Sequence, residues 1–191
     1  MKSVDKFIVH LPKKVKDTIK LGDTEIYMET KFNEFEHRYN YATIVATPSK
    51  YEMDAKEGDI LYFHHHIVVE ASHFIGDDHY FVSYDQDGGY GSQSYAYERD
   101  GVITMFSDWI FVTAEEPETE EKTASGLFVP KAKQMPSEGN VLITNPEVES
   151  WGVKIGDRVG FTKNSDYLMQ LSDGRKVWRM RNTDLNYVKE N

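Results

Sequence analysis

One seven-residue pattern occurs twice, and it limits the chain to a fold that can be built twice. Glu57-Gly58-Asp59-Ile60-Leu61-Tyr62-Phe63 reads against Ile155-Gly156-Asp157-Arg158-Val159-Gly160-Phe161, with the glycines 98 positions apart. A Gly-Asp pair makes a tight turn that feeds a strand, the glycine taking dihedrals that other residues avoid. Ala46-Thr47-Pro48 reads against Thr144-Asn145-Pro146 at the same spacing. Asp5-Lys6-Phe7-Ile8-Val9 reads against Asp108-Trp109-Ile110-Phe111-Val112 at a spacing of 103. Such self-similarity is the mark of a duplicated unit.

The unit is built from strands. Phe7-Ile8-Val9, Ala42-Thr43-Ile44-Val45, Ile60-Leu61-Tyr62-Phe63, Ile67-Val68-Val69, Tyr80-Phe81-Val82, Val102-Ile103-Thr104-Met105-Phe106, Trp109-Ile110-Phe111-Val112, Val141-Leu142-Ile143 and Val177-Trp178-Arg179-Met180 are short and β-branched or aromatic. Gly, Pro, Asp or Asn bounds most of them, which predicts an all-β chain with barrel or sandwich spacing. The 12 Tyr, 10 Phe and 3 Trp suit half-buried strand faces.

The segment from Val102 to Val112 also resembles the end of the chain, Val177 to Val188, with Asp108 against Asp184. Residues 108–112 are therefore expected to serve as the last strand of copy one and the first of copy two. The expected division is 1–107 and 108–191. The shortened spacing puts about 22 extra residues in copy one, near 64–100, where Asp85 to Tyr97 reads as a Gly/Tyr-rich hairpin or loop.

Residues 115–139, EEPETEEKTASGLFVPKAKQMPSEG, are the longest run that does not read as a packed element. Three adjacent apolar residues, Leu127-Phe128-Val129, follow Gly126 inside it. A run this rich in Glu, Thr, Lys, Ser and Pro does not repay its own ordering entropy. The triplet is thus either a buried strand of copy two or a hook kept for a partner.

Other candidate chemistry is thin. With 32 acidic against 22 basic residues the net charge is −10, which argues against a nucleic-acid backbone as partner. The absence of cysteine removes disulfides, thiolate nucleophiles and Cys-based zinc sites. The start, MKSVDKFIVHLPKK, is too short in apolar residues for a signal-peptide core, and no stretch approaches a membrane span, so a cytoplasmic protein is expected. His64-His65-His66 is read as strand histidines, His64 and His66 on one face, exposed or partly packed and holding no metal. Adjacent acids such as Glu115-Glu116 and Glu120-Glu121 read as solvated, and no nucleophile–base arrangement stands out, so no catalytic residue and no cofactor is assigned. Asp87-Gly88-Gly89-Tyr90-Gly91 lacks the Lys-Ser/Thr and helix of a phosphate loop.

The order of features in copy two resembles the ten-kilodalton co-chaperonin (chaperonin-10) family, the lids of the large chaperonins. Asp108 to Val112 looks like its opening strand, and Glu118 to Val129 like its mobile loop. Glu138-Gly139-Asn140-Val141-Leu142 looks like the re-entering strand, Val153 to Phe161 like the Val-Gly-Asp strand, and Thr183-Asp184-Leu185 like the closing turn. The resemblance implies two tandem co-chaperonin-like β-barrels sharing a junction strand. It implies a non-catalytic lid that caps an ATP-driven chaperonin ring, encloses an unfolded client protein and forms a homo-oligomeric ring. Docking falls to Gly126, Leu127, Phe128 and Val129, and in copy one to Ile26, Tyr27 and Met28, where Glu25 replaces the glycine. The short segments after Pro48 and Pro146 resemble virus-encoded members with a reduced roof. A structural or interaction protein that kept the barrel without chaperonin binding is the second reading, and a metal-dependent enzyme around His64 the third.

Overall fold

The computed structural model describes residues 1–11, 18–21, 24–27, 39–86, 91–106, 108–113, 120–122, 128–130 and 137–189. It divides into two compact units, Met1–Val102 and Ile103–Asn191. Both are β-structures with short helical turns. Among the described residues no helix is long and apolar enough to cross a membrane.

The first unit runs β1 (Lys6–His10), β2 (Thr18–Leu21), β3 (Thr24–Tyr27), β4 (Tyr41–Ala46), β5 (Ile60–Phe63), α1 (His66–Val69), β6 (Phe74–Gly76), β7 (His79–Ser83) and β8 (Ser94–Arg99), and its sheet is extended by β9 (Val102–Met105), which starts at the unit's last residue. Its main sheet has the order β6-β7-β1-β4-β5-β8-β9. The second runs β10 (Trp109–Thr113), β11 (Glu120–Lys122), β12 (Phe128–Pro130), β13 (Glu138–Ile143), α2 (Pro146–Ser150), β14 (Arg158–Phe161), β15 (Tyr167–Gln170), β16 (Lys176–Arg181) and β17 (Leu185–Val188). Its main sheet has the order β15-β16-β10-β13-β14-β17. Strand for strand, β6-β7-β1-β4-β5-β8 follows the same path as β15-β16-β10-β13-β14-β17.

The correspondence extends to irregularities. The β1/β4 ladder shifts register between Ile8 and Val9, and the β10/β13 ladder between Phe111 and Val112. Each shift places a bulge one strand in from the same turn, where it increases local twist. Gly58 and Gly156 both have φ +93°, which a residue with a Cβ adopts only at a cost. Around them the hydrogen bonds repeat. Gly58 N–H donates to Ile44 O at 2.9 Å, and Gly156 N–H to Val141 O at 2.8 Å. Lys56 N–H donates to Asp59 Oδ2 at 2.7 Å, and Lys154 N–H to Asp157 Oδ2 at 2.8 Å.

Four sequence expectations are corrected. The sheets are not closed barrels: among the described strands each order is open, ending at β6 and β9 in one unit and β15 and β17 in the other. Residues 108–112 are not a shared strand. A strand has two edges, and both edges of β10 are taken by β13 and β16 of its own sheet. The closing position of the first sheet goes to β8, which pairs with β5, so Tyr95 and Tyr97, expected in a Gly/Tyr-rich hairpin or loop, are buried sheet residues. Finally, Ile67-Val68-Val69 is not a strand but the body of α1. There Ile67 is buried, and the chain turns away from β5 through bonds from Ile67 N–H to His64 O and Val68 N–H to His65 O, both 3.1 Å.

Each unit has its own apolar interior. In the first, Phe7, Val9, Ile44, Leu61, Phe63, Tyr80 and Val82 are buried. In the second, Ile110, Val112, Val141, Val148, Val153, Val159, Phe161, Trp178 and Met180 form one cluster.

Candidate functional site

Between the first and second strands of each main sheet the chain leaves to form a separate two-stranded ribbon. In the first unit β2 pairs β3 antiparallel, with Thr18 opposite Tyr27 and Ile19 opposite Ile26. In the second, β11 pairs β12, with Lys122 opposite Phe128 and Glu121 opposite Val129. The polar run 115–139 is thus not unpaired throughout: two of its pieces form a ladder. Phe128 and Val129 open the returning strand of one ribbon, and Ile26 and Tyr27 close the returning strand of the other. Gly126, Leu127 and Met28 lie outside the described residues, as do Gly88, Gly89 and Tyr90 of the Gly/Tyr-rich segment.

The ribbon of the second unit returns to its sheet at Glu138, and a cluster of charges meets it there. Lys189 Nζ donates to Glu138 Oε2 at 2.8 Å, Tyr187 Oη to Oε1 at 2.8 Å, and Arg158 Nε to Oε2 at 3.1 Å. The bond from Lys189, then those from Tyr187 and Arg158, hold the Glu138 carboxyl down at about 2. One carboxylate therefore ties the first residue of β13 to β14 and to the end of β17. The sequence reading placed Glu138 on the re-entering strand but gave it no role. Its partners lie 20 to 51 positions away, beyond the reach of any local pattern.

The next residue explains why the return is tight. A Cβ on Gly139 would stand 2.5 Å from Val112 Cγ1 and 3.0 Å from Thr113 O, so only glycine lets β13 lie this close to β10. Gly160 plays a matching part, with the Tyr187 ring occupying the space of its missing side chain. The two residues are cross-strand partners, so the aromatic covers the glycine of the neighbouring strand.

The sign of the Glu138 effect sets a pH test. A carboxyl depressed in the folded state contributes stability above its ordinary value of 4.5, and that contribution is lost as pH falls toward about 2. Glu138→Gln is expected to flatten the acid unfolding curve of the second unit across this window while leaving it unchanged in shape near neutrality. Tryptophan fluorescence against pH reads it, since Trp109, Trp151 and Trp178 all lie in that unit.

Behind the sheet sits a buried polar network. Asn145 Nδ2 donates to Trp109 O at 2.9 Å and to Asn182 Oδ1 at 2.8 Å, while its Oδ1 accepts from Val148 N–H at 3.1 Å. The last bond caps α2. Asn182 in turn donates to Glu147 Oε2 at 2.9 Å, and its N–H to Asp108 O at 2.9 Å. The first unit has a different anchor. Arg99 grips Asp59 through Nε at 2.8 Å and Nη2 at 2.6 Å, and the hydrogen bond from Arg99 holds the Asp59 carboxyl below its usual range.

The three adjacent histidines do not lie along a strand. His64 follows β5, His65 is buried in the turn, and His66 opens α1 and is exposed. Their rings gather on one another, a contact that strand geometry would have split between two faces.

A small antiparallel β-domain whose sheet releases a separate ribbon after its first strand is the class that this geometry defines. Residues 102–188 match the model of the family described as the chaperonin 10 Kd subunit, and the chain belongs to that family. It is 37% identical over 87 residues to a co-chaperonin GroES of Polaromonas naphthalenivorans, covering 41% of this chain and 90% of the relative. To that of Campylobacter curvus it is 40% identical over 74 residues, covering 38% and 81%. To that of Rhodothermus marinus it is 36% identical over 90 residues, covering 44% and 87%.

Proposed function

We propose that this chain is a non-catalytic co-chaperonin that caps an ATP-driven chaperonin ring in the cytoplasm and helps enclose an unfolded client protein. The observation that carries this reading is the ribbon in the second unit, set between the first and second strands within the family-matching stretch. In this reading Gly126, Leu127, Phe128 and Val129 dock on the chaperonin. Such a short apolar hook on a polar segment binds weakly and reversibly, which suits a lid that leaves in every cycle.

The first unit is read as a second copy of the same domain. The support is the shared strand order, the matching bulges and the matching Gly-Asp turns. Its ribbon carries Ile26, Tyr27 and Met28 as the corresponding contact, with Glu25 in the place of Gly126. The ATP is hydrolysed by the chaperonin. The net charge of −10 gives clients a polar surface with little to adhere to, and disfavours nucleic acid and anionic membranes as partners. In a homo-oligomeric ring of such chains either the number of units is even or one unit of each chain stands outside the ring.

The test is ATP-dependent co-purification with a chaperonin, joined to native mass spectrometry of the free chain. A ring that retains a chaperonin in the presence of nucleotide is the expected result. A monomer that never retains one would overturn the reading.

A further inference from the structure

The geometry points to a site for one divalent transition-metal ion at His64, His65 and His66, where β5 turns into α1. One nitrogen from each imidazole lies within 4.8 Å of the others. The ring centroids are 4.8 Å apart for His64 and His65, and 4.4 Å for each of the other two pairs. A bound zinc ion holds imidazole nitrogens at roughly 2.0–2.1 Å, so three ligands around one ion stand somewhat closer together than this. Side-chain torsions supply the difference, and His66 is exposed and able to turn.

The backbone beneath the cluster is already fixed. His64 N–H donates to Gln93 O at 2.9 Å, and the carbonyls of His64, His65 and His66 accept from Ile67, Val68 and Glu70 at 3.1, 3.1 and 2.9 Å. His65 is buried at 6% exposure, which places one ligand below the surface and the other two at its rim. His66 N–H also donates to His64 Nδ1 at 3.3 Å, a long bond that is exchanged for a metal bond if His64 binds through that nitrogen. A ligand set of three imidazoles with no thiolate or carboxylate selects zinc, cobalt or nickel over calcium or magnesium. It also leaves a fourth position to water. The ion would clip the turn after β5, a role in holding the first unit together that is separate from chaperonin docking.

Tag-free full-length protein titrated with Co²⁺ alone tests the site by the visible ligand-field bands of the bound ion. The expected result is one Co²⁺ per chain, bands displaced by Zn²⁺, and their loss in both His64→Gln and His66→Gln. The buried His65 is left in place, so that the variants keep their fold, which far-UV circular dichroism checks. The neighbouring pair His10 and His79, with ring centroids 4.9 Å apart, serves as the control. His10→Gln is expected to keep the bands. No bands in the parent protein, or bands that survive in His64→Gln/His66→Gln or vanish in His10→Gln, would overturn the proposal.

Discussion

Replacing Leu127 and Phe128 together by serine is expected to abolish retention of a chaperonin while leaving the protein as stable as before. The two halves of this result come from different parts of the structure. Burying a Leu or Phe side chain is worth about 1.5–3 kcal/mol, so each loss weakens one docking contact by roughly 10- to 150-fold. In a ring these losses multiply over every copy that docks. Stability is spared because β11 and β12 pair with each other, and among the described strands neither joins the main sheet. The variant should therefore melt with the parent by circular dichroism and fail in ATP-dependent co-purification. Retention at the parent level would show that docking lies elsewhere, and the corresponding change at Ile26 and Tyr27 would then be the next to make.

Asn145→Ala is expected to do the reverse, removing stability from the second unit without touching a residue proposed to dock. The substitution deletes the cap of α2 and removes one donated bond each from Trp109 O and Asn182 Oδ1, in a site where Asn145 is 2% exposed. A lost cap costs about 1 kcal/mol and each of the two lost donations about 1 kcal/mol, for a total of about 3 kcal/mol. For a domain of this size the melting temperature should fall by roughly 12–24 °C. Tryptophan fluorescence isolates the effect, because all three tryptophans belong to the second unit. Asn145→Asp keeps the cap acceptor but loses both donations, so it separates the two contributions. An unchanged melting curve for Asn145→Ala would show that the network is incidental.

Asn145 also marks where the sequence comparison of the two units needed the structure. Strand register sets Ala46 against Ile8 and Ile143 against Phe111, so the strands correspond at a spacing of 97. Past Pro48 and Pro146 the spacing is 98. Thr144-Asn145 stands where the first unit has Thr47 alone, and Asn145 caps a helix in the second unit where the first has a simple turn. Reading Asn145 against Thr47 missed this, since a one-residue slip is invisible without knowledge of which residues face each other.

What was legible followed from local chemistry. The Gly-Asp turns and the runs of β-branched and aromatic residues both depend on near neighbours in the chain. What was not legible depends on distant partners. Val102-Ile103-Thr104-Met105 was matched to Val177-Trp178-Arg179-Met180 on composition, but β16 pairs with β10 as β7 pairs with β1. β9 is instead an outer strand with Val102 66% exposed. Likewise, β-branched Val68 and Val69 favour a strand by propensity, yet tertiary context makes them helical. That turn is what gathers the histidines.

The open order of the two sheets bears on how the chain must be handled while it folds. β6, β9, β15 and β17 each present a neighbour on one side only among the described strands. An outer strand offers its free amides and carbonyls to any other chain that arrives in extended form, which is the usual start of aggregation. Tyr187 and Val188 add exposed apolar surface along one such edge, at 50% and 40%. Mutual repulsion between chains of charge −10 opposes that encounter. Salt screens it over about 8–10 Å at ordinary ionic strength. Refolding should accordingly succeed best from dilute, low-salt solution, and turbidity should rise with protein concentration and with added salt.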